Sequence, residues 1–432
     1  MEARKILIIT YYWPPSGGVG VQRWLNFALQ LERLGWEPII LTPENPQFSV
    51  SDESLRPLVA HLATYKIPIW EPFQLFHRLT GNRERKNVQQ GLVMEKKDKG
   101  WKDRIAVWIR GNFFIPDPRV FWVKSASKLA EKQIREGGIE VMITTGPPHS
   151  MHLVGRKVKK KTGVKWLADF RDPWSKWDIL EKLNTSQLVL KVHRHMEASV
   201  LKSADLCTTV SDRLSIALAQ KKYKVEVLHN GVSIPQRNKI DTDETKFTIG
   251  YFGMLNELRN PSLLWKVLDQ LCQKDANFAE KLQVRIGGIV GASIKEEITN
   301  YPYLKEKSTF LGYLSHSEVQ IEYNRCDMLL LLLNKSSNSP WILPVKFFEY
   351  LSAKRWILCL GPTESDLADL IRAKKVATIL QYESESALSD FLNQAMQSRP
   401  VPDAEDADGL ISRFSHKALA VKLDRLLREM LI

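Results

Sequence analysis

Cysteine is scarce. Cys207, Cys272, Cys326 and Cys359 are the four in 432 residues, and each stands more than thirty positions from the next. That spacing offers no CxxC pair and no metal knuckle, and it suits a reducing compartment. Long apolar runs are also missing. The longest, Met328 to Leu333, is too short to cross a bilayer. Met1 to Thr10 carries only five apolar-leaning residues before Tyr-Tyr-Trp-Pro-Pro, whereas a secretory leader needs a longer apolar stretch and a small-residue cleavage site. The expectation is a cytoplasmic protein that touches a membrane, if at all, from its inner face. No repeat shows at solenoid periods.

Acidic residues are outnumbered, 49 Asp and Glu against 62 Lys and Arg, which leaves a net charge of +13. Such a balance asks for nucleic acid, anionic lipid or a phosphorylated substrate. Much of the excess is local: Phe73 to Ser125 holds twelve Lys/Arg and five Asp/Glu. Within it Trp101, Ile105, Trp108 and Ile109 fall on one helical face, with Lys102, Asp103 and Arg110 elsewhere. Basic residues beside exposed aromatics suit a segment lying in an anionic interface; the plain alternative is that these aromatics pack on the domain. No helix-turn-helix, RNA-binding or zinc motif accompanies the charge, so nucleic acid is not the expected partner.

The rest of the chain alternates buried strands with amphipathic helices. Lys5 to Thr10, Glu37 to Thr42, Val141 to Thr145, Lys165 to Phe170 and Leu206 to Val210 are short apolar runs bounded by turn residues, with a helix-period stretch from Val21 to Leu34 stopped by Gly35. The theme restarts at Lys246 to Phe252 and continues through Leu282 to Gly287, Asp327 to Leu333 and Trp356 to Leu360, with helices at Pro261 to Cys272 and Pro344 to Ala353. This predicts an α/β protein with two parallel sheets. Polar Ser233 to Thr245 reads as the linker, so the domains are expected at 1–233 and 234–411, with an insertion at about 73–125. After the Pro- and acid-rich break Ser398 to Asp408, residues 412–431 read as one amphipathic closing helix that packs back on the first domain. Two such domains are expected to leave a cleft between the carboxyl ends of their sheets, where ligands of open α/β sheets bind.

Chemistry-bearing residues gather after strands. Ser16-Gly17-Gly18-Val19-Gly20 opens a helix after the first strand; a backbone without side chains can approach a ligand there, although the spacing is not GxGxxG and a plain turn would look the same. Thr145-Gly146-Pro147-Pro148-His149-Ser150 fixes His149 at a strand end, with His152 a weaker candidate one turn later. In Asp169-Phe170-Arg171-Asp172-Pro173-Trp174, burial cost predicts that these charges pair with each other or face a polar ligand; a structural pair accounts for Asp169 and Arg171, and Asp172 at the rim is the better functional candidate. Arg259 follows the Lys246–Phe252 strand, and its rigid fork suits a diphosphate. Lys346 and Glu349, behind Pro344, share one face of a first helical turn where exposed N–H groups favour an anion. A Lys for phosphate and a carboxylate for ribose hydroxyls would suit a nucleotide diphosphate; a surface ion pair is the bland reading. Asp241-Thr242-Asp243 sits in the linker and reads as solvated charge, so no metal is expected.

Taken in order, Gly17 to Gly20, Asp169 to Trp174, Thr209-Val210-Ser211, Asn230-Gly231-Val232, Gly253, Leu311-Gly312-Tyr313 and Pro344-x-Lys346-x-x-Glu349-Tyr350 resemble bacterial glycosyltransferases of the GT-B fold, in the retaining family 4. The resemblance covers essentially the whole chain. It implies two Rossmann-like domains and transfer of a sugar, with retention, from a nucleotide diphosphate sugar to a glycan or lipid-linked acceptor in cell-envelope polysaccharide synthesis. Neither metal nor other cofactor is implied. Gly18 and Gly20 would lie against the donor diphosphate and reacting centre, and His149 would contact the donor sugar. Arg259 and Lys346 would neutralise the departing diphosphate and Glu349 would hold the ribose. The Gly288 loop and the Gly312-Tyr313 loop would frame the base, beside Gly253. The chain departs from the family pattern at Trp341, where the first of two carboxylates is expected, and at Met254, where an Arg is expected. Two rival readings remain: a nucleotide-sugar epimerase on the same fold, and a non-catalytic partner subunit.

Overall fold

The computed structural model describes residues 3–48, 51–71, 101–233 and 243–432. It divides into two compact units, Met1–Gly231 with His416–Ile432, and Val232–Ser415. The first unit is built on seven parallel strands: β1 (Arg4–Ile9), β2 (Trp36–Pro43), β3 (Thr64–Ile67), β4 (Val141–Gly146), β5 (Lys165–Phe170), β6 (Leu206–Thr209) and β7 (Val225–Val227). They stand in the order β3-β2-β1-β4-β5-β6-β7. The second unit repeats the plan with β8 (Phe247–Phe252), β9 (Leu282–Gly287), β10 (Ser308–Gly312), β11 (Met328–Leu332), β12 (Trp356–Leu360) and β13 (Ala377–Leu380), ordered β10-β9-β8-β11-β12-β13. The central strands are covered on both faces, which is why β11 reads as an unbroken apolar run and β1 and β4 as short apolar cores. In each sheet the strand order reverses once, between β1 and β4 and between β8 and β11. Chains of this topology open a crevice at the carboxyl ends of the two strands that flank the reversal.

The first unit is tied together at one carboxylate. Asp169 on β5 is fully buried and accepts five hydrogen bonds: two from Arg23, one from Trp24 Nε1, one from Thr145 on β4 and one from Thr208 on β6. Thr145, Asp169 and Thr208 are direct cross-strand neighbours. Arg23 continues to the carbonyls of Leu228 and His229 and to Asn230 Oδ1. Burial opposes the charged form of Asp169, but the Arg23 guanidinium and these hydrogen bonds outweigh it and hold the carboxyl below its ordinary value. The expected Asp169–Arg171 pair is therefore corrected. Arg171 instead donates to the carbonyls of Gly20, Gly146 and Pro147, because Arg23 approaches Asp169 from the helix above the strands.

The closing helix is corrected as well. Helix Ala404–Arg413 is followed by a separate helix His416–Leu431, with the break at Phe414 and Ser415. Phe414 is buried and stacked on Phe348, and its carbonyl accepts from Val232 N, so the backbone cannot run on helically. The acid-rich stretch that reads as a break begins the first of these helices: Asp403 caps it through Asp406 N, and Glu405 and Asp406 suit its positive end.

Removing one partner of the buried ion pair is expected to be costly. Arg23→Met or Asp169→Ala should lose about 3–5 kcal/mol in denaturant unfolding, and the Arg23→Met/Asp169→Leu double variant should lose less than either single change.

Candidate functional site

In the second unit the loops after β8, β9 and β10 are laced backbone to backbone. Gly253 N donates to Gly287 O at 2.8 Å, and Gly288 N donates to Gly312 O at 2.6 Å. Gly288 has φ +107, and a Cβ there would lie 2.3 Å from the Gly253 carbonyl oxygen, so no side chain fits. A Cβ on Gly253 would lie 2.3 Å from Lys346 Nζ. The glycines thus bring bare backbone and one ammonium to the same strand ends. Tyr313, beside Gly312, is exposed.

Lys346 lies in the first turn of helix Val345–Ser352 and donates to the carbonyl of Phe252, the last residue of β8. Glu349, one turn on, accepts from Tyr323 Oη at 3.3 Å. The helix therefore directs the two charges to different partners rather than to a surface ion pair. Arg259 reaches across the strand-order reversal from the loop after β8 to Asn334 Oδ1, just past β11, at 2.6 Å. The same loops are joined again where Lys335 N donates to Leu258 O. Burial lowers the Lys346 ammonium to about 8; Glu349 works against that fall and Arg259 adds to it. A buried amine with no carboxylate in its grip, next to a second cation, is arranged to gain from an arriving anion. Gly253, Arg259, Gly288 and Gly312 on these strand-end loops are thus gathered with Lys346 and Glu349 on helix Val345–Ser352. Asn334 and Tyr323 join them. Asn334 directly follows the run Met328 to Leu333, so the strand-end rule could have found it; nothing in the sequence marks Tyr323.

The first unit carries a second cluster. Gly20 sits at the start of helix Val19–Arg33, its carbonyl held by Arg171 Nη1 at 2.9 Å, and Gly18 precedes that helix in the left-handed region at φ +85. His149 precedes helix Ser150–Thr162, is buried, and stacks on Trp174 with ring centroids 4.9 Å apart and planes 6° apart. Neither of its ring nitrogens has a hydrogen-bond partner among the described residues. Burial, with His152, His193 and the Arg171 guanidinium close by, keeps the imidazole neutral. Asp172 is partly exposed on the loop after β5; burial raises its carboxyl even though Arg171 pulls it down.

On the basic, aromatic segment, residues 73–100 lie outside the described residues, as does the side chain of Trp101. Helix Trp101–Phe113 exposes Ile105, Trp108, Ile109 and Phe113, the last at 67 %. The end of the helix is fastened: Gly111 lies against Leu183, and Asn112, one turn past Trp108 on the same face, bonds Asn184 O and Ser186 N. The three described aliphatic and aromatic members of the face therefore point to solvent rather than into the domain.

This architecture is the GT-B fold, two Rossmann-like domains with parallel sheets. HepE from Anabaena, solved in complex with UDP, superposes with a TM-score of 0.63 over 98 % of this chain and 100 % of its own, at 13 % identity. Sucrose-phosphate synthase from Thermosynechococcus elongatus gives 0.64 over 99 % of each chain at 12 % identity. The lipopolysaccharide outer core galactosyltransferase WaaB gives 0.61 over 98 % of this chain and 99 % of its own, at 13 % identity. At such identities the likeness establishes the fold. No protein-family model matches the sequence, and neither does any curated protein.

The lysine has a readable signature. Between pH 8 and its ordinary value of 10.5, Lys346 is deprotonated in the folded protein and protonated in the unfolded one. Unfolding then takes up a proton, so stability should rise with pH across that window. Lys346→Met should flatten this rise and raise the Tm of the nucleotide-free protein at pH 7.

Proposed function

We propose that this chain is a glycosyltransferase that moves a sugar from a nucleotide diphosphate sugar to a glycan or lipid-linked acceptor, with retention, in cell-envelope polysaccharide synthesis. The observation that carries the reading is Lys346. Its depressed ammonium, hydrogen-bonded to no carboxylate among the described residues, sits beside bare glycine backbone, with Arg259 on the loop after β8 and Glu349 one turn along the same helix. HepE and WaaB, which share the fold, support it by what they bind or transfer: UDP in the first, galactose in the second.

In this reading Arg259 and Lys346 neutralise the diphosphate as it departs, and a diphosphate draws the Lys346 proton fully on. Glu349, already an acceptor for a hydroxyl, takes the ribose. Gly253, Gly288, Gly312 and Tyr313 frame the base, and Gly18 and Gly20 offer backbone to the diphosphate and reacting centre. His149 takes an oxygen of the transferred sugar as a neutral hydrogen-bonding group. Asp172, its carboxyl raised by burial, stands at the acceptor side. The acceptor hydroxyl attacks the face that the diphosphate leaves, positioned by the protein without a covalent intermediate on a side chain. No metal or other cofactor enters this scheme.

A thermal-shift panel of UDP, GDP, ADP and dTDP tests the donor. One nucleotide at a hundred times its Kd should stabilise the protein by about 2.7 kcal/mol, and Lys346→Ala and Glu349→Ala should each remove that shift. No shift with any nucleotide would overturn the reading. Binding without sugar release or transfer would leave the non-catalytic partner in its place, and turnover of donor alone to an isomer would leave the epimerase.

The exposed face of helix Trp101–Phe113 supports an acceptor presented at an anionic membrane surface. Trp108→Ser with Ile109→Ser should lower co-sedimentation with vesicles containing anionic lipid, leave neutral vesicles unaffected, and leave the nucleotide shift intact. Equal sedimentation of the double variant would remove the membrane from the proposal.

A further inference from the structure

The buried histidine beside His149 has a tautomer fixed by its neighbours. Trp166 Nε1 on β5 donates to Thr144 Oγ1 on β4 at 2.9 Å, and Thr144 Oγ1 lies 2.9 Å from His152 Nδ1. The indole N–H can only donate, so it occupies a lone pair of the hydroxyl. A second lone pair remains on that hydroxyl, but among the described residues its own proton finds no acceptor other than His152 Nδ1. Satisfying that proton leaves His152 Nδ1 bare and places the ring proton on Nε2, and this tautomer is the one the bond chain from Trp166 through Thr144 to His152 favours.

That Nε2–H is fully buried and donates to nothing in the structure. It borders the point a Gly146 Cβ would occupy, at 2.6 Å, and His149 Nδ1 borders the same point at 3.0 Å. The two nitrogens are not hydrogen-bonded to each other, but two N–H groups turned on one small buried space would oppose each other, whereas an N–H facing a bare nitrogen is electrostatically favourable. Charged alternatives are closed off: burial holds His152 down at about 3, with Asp169 raising it and Arg171 lowering it, and His149 is kept neutral by burial with His152, His193 and Arg171 around it. His193 itself accepts from Trp174 Nε1, the indole on which His149 stacks.

We propose that His152, held as an Nε2–H donor by Thr144 and Trp166, is a positioning residue that sets the tautomer of His149, so that His149 Nε2, closed to solvent in the ligand-free structure, carries the N–H that an oxygen of the transferred sugar accepts once the donor displaces what covers it. This rests on the reading of His149 as the sugar contact. His149 is then a donor to a neutral oxygen rather than a base, and no proton leaves it during the reaction.

The tautomer is measured first on the ligand-free protein by ¹⁵N spectroscopy of labelled histidines, with His149 assigned by the signal lost in His149→Gln. The wild type should show bare Nδ1 and protonated Nε2 at both positions, unchanged from pH 6 to 8. His152→Phe and Thr144→Val should each move His149 toward the other tautomer. A protonated His149 Nδ1 in the wild type, or a His149 signal indifferent to both changes, would overturn the relay. Calorimetry with UDP and UDP-glucose then reads the consequence. His152→Phe should weaken UDP-glucose about tenfold and leave UDP unchanged, and His152→Gln, whose amide can replace the Nε2–H, should recover most of the loss. Equal weakening of UDP and UDP-glucose would mark a merely structural role. A changed tautomer with undiminished UDP-glucose affinity would keep the relay and overturn the sugar contact.

Discussion

The buried pair of Arg23 and Asp169 is the constraint on which the first unit depends. A carboxylate with no access to water must be fully supplied with donors, and here those donors come from one helix and two neighbouring strands. Meeting that need fixes where helix Val19–Arg33 begins relative to the strand ends. It also draws in the Leu228–Asn230 loop through the remaining guanidinium hydrogens. Because Arg23 satisfies Asp169, Arg171 is released to brace the carbonyls of Gly20, Gly146 and Pro147. The glycine loop and the His149 loop are held by that second guanidinium, so the geometry of the candidate site is a consequence of the first.

The second unit solves a different problem with different means. Its strand-end loops are joined by peptide groups instead of by an ion pair, and the buried cation among them is left with a carbonyl for company. Arg23 has its charge matched and Lys346 does not. The contrast separates a charge that builds structure from one held ready for a ligand: the first lowers the energy of the folded chain, and the second raises it until an anion arrives.

Much of this was legible in the sequence because burial on both faces makes a central parallel strand mostly apolar, the exceptions Thr144, Thr145 and Asp169 being hydrogen-bonded within the sheet. β1, β4, β5, β8 and β11 announce themselves in that way, and the site residues follow because ligand loops must sit at strand ends. Edge strands carry no such mark. β3 and β7 are short and partly exposed, and β10 is half-exposed with a register shift near Gly312, so their residues look like loop. Partners separated by long stretches of chain were equally hidden. Nothing in the spacing says that Asp169 would find Arg23, 146 positions earlier, in place of Arg171 two positions later. The split near Ser415 was invisible because it comes from Phe414 docking on Phe348, not from a helix breaker.

Helix His416–Leu431 belongs to the first unit, where Leu419, Leu423 and Leu427 enter its core, Asp424 accepts from Trp36 and Arg428 reaches Leu34 O. During synthesis, residues 232–415 must therefore leave the ribosome before the face of helix Val19–Arg33 that this segment covers can be closed. Until then the first unit waits with apolar surface uncovered while the second, continuous in sequence, is free to finish. The order of completion runs against the order of translation.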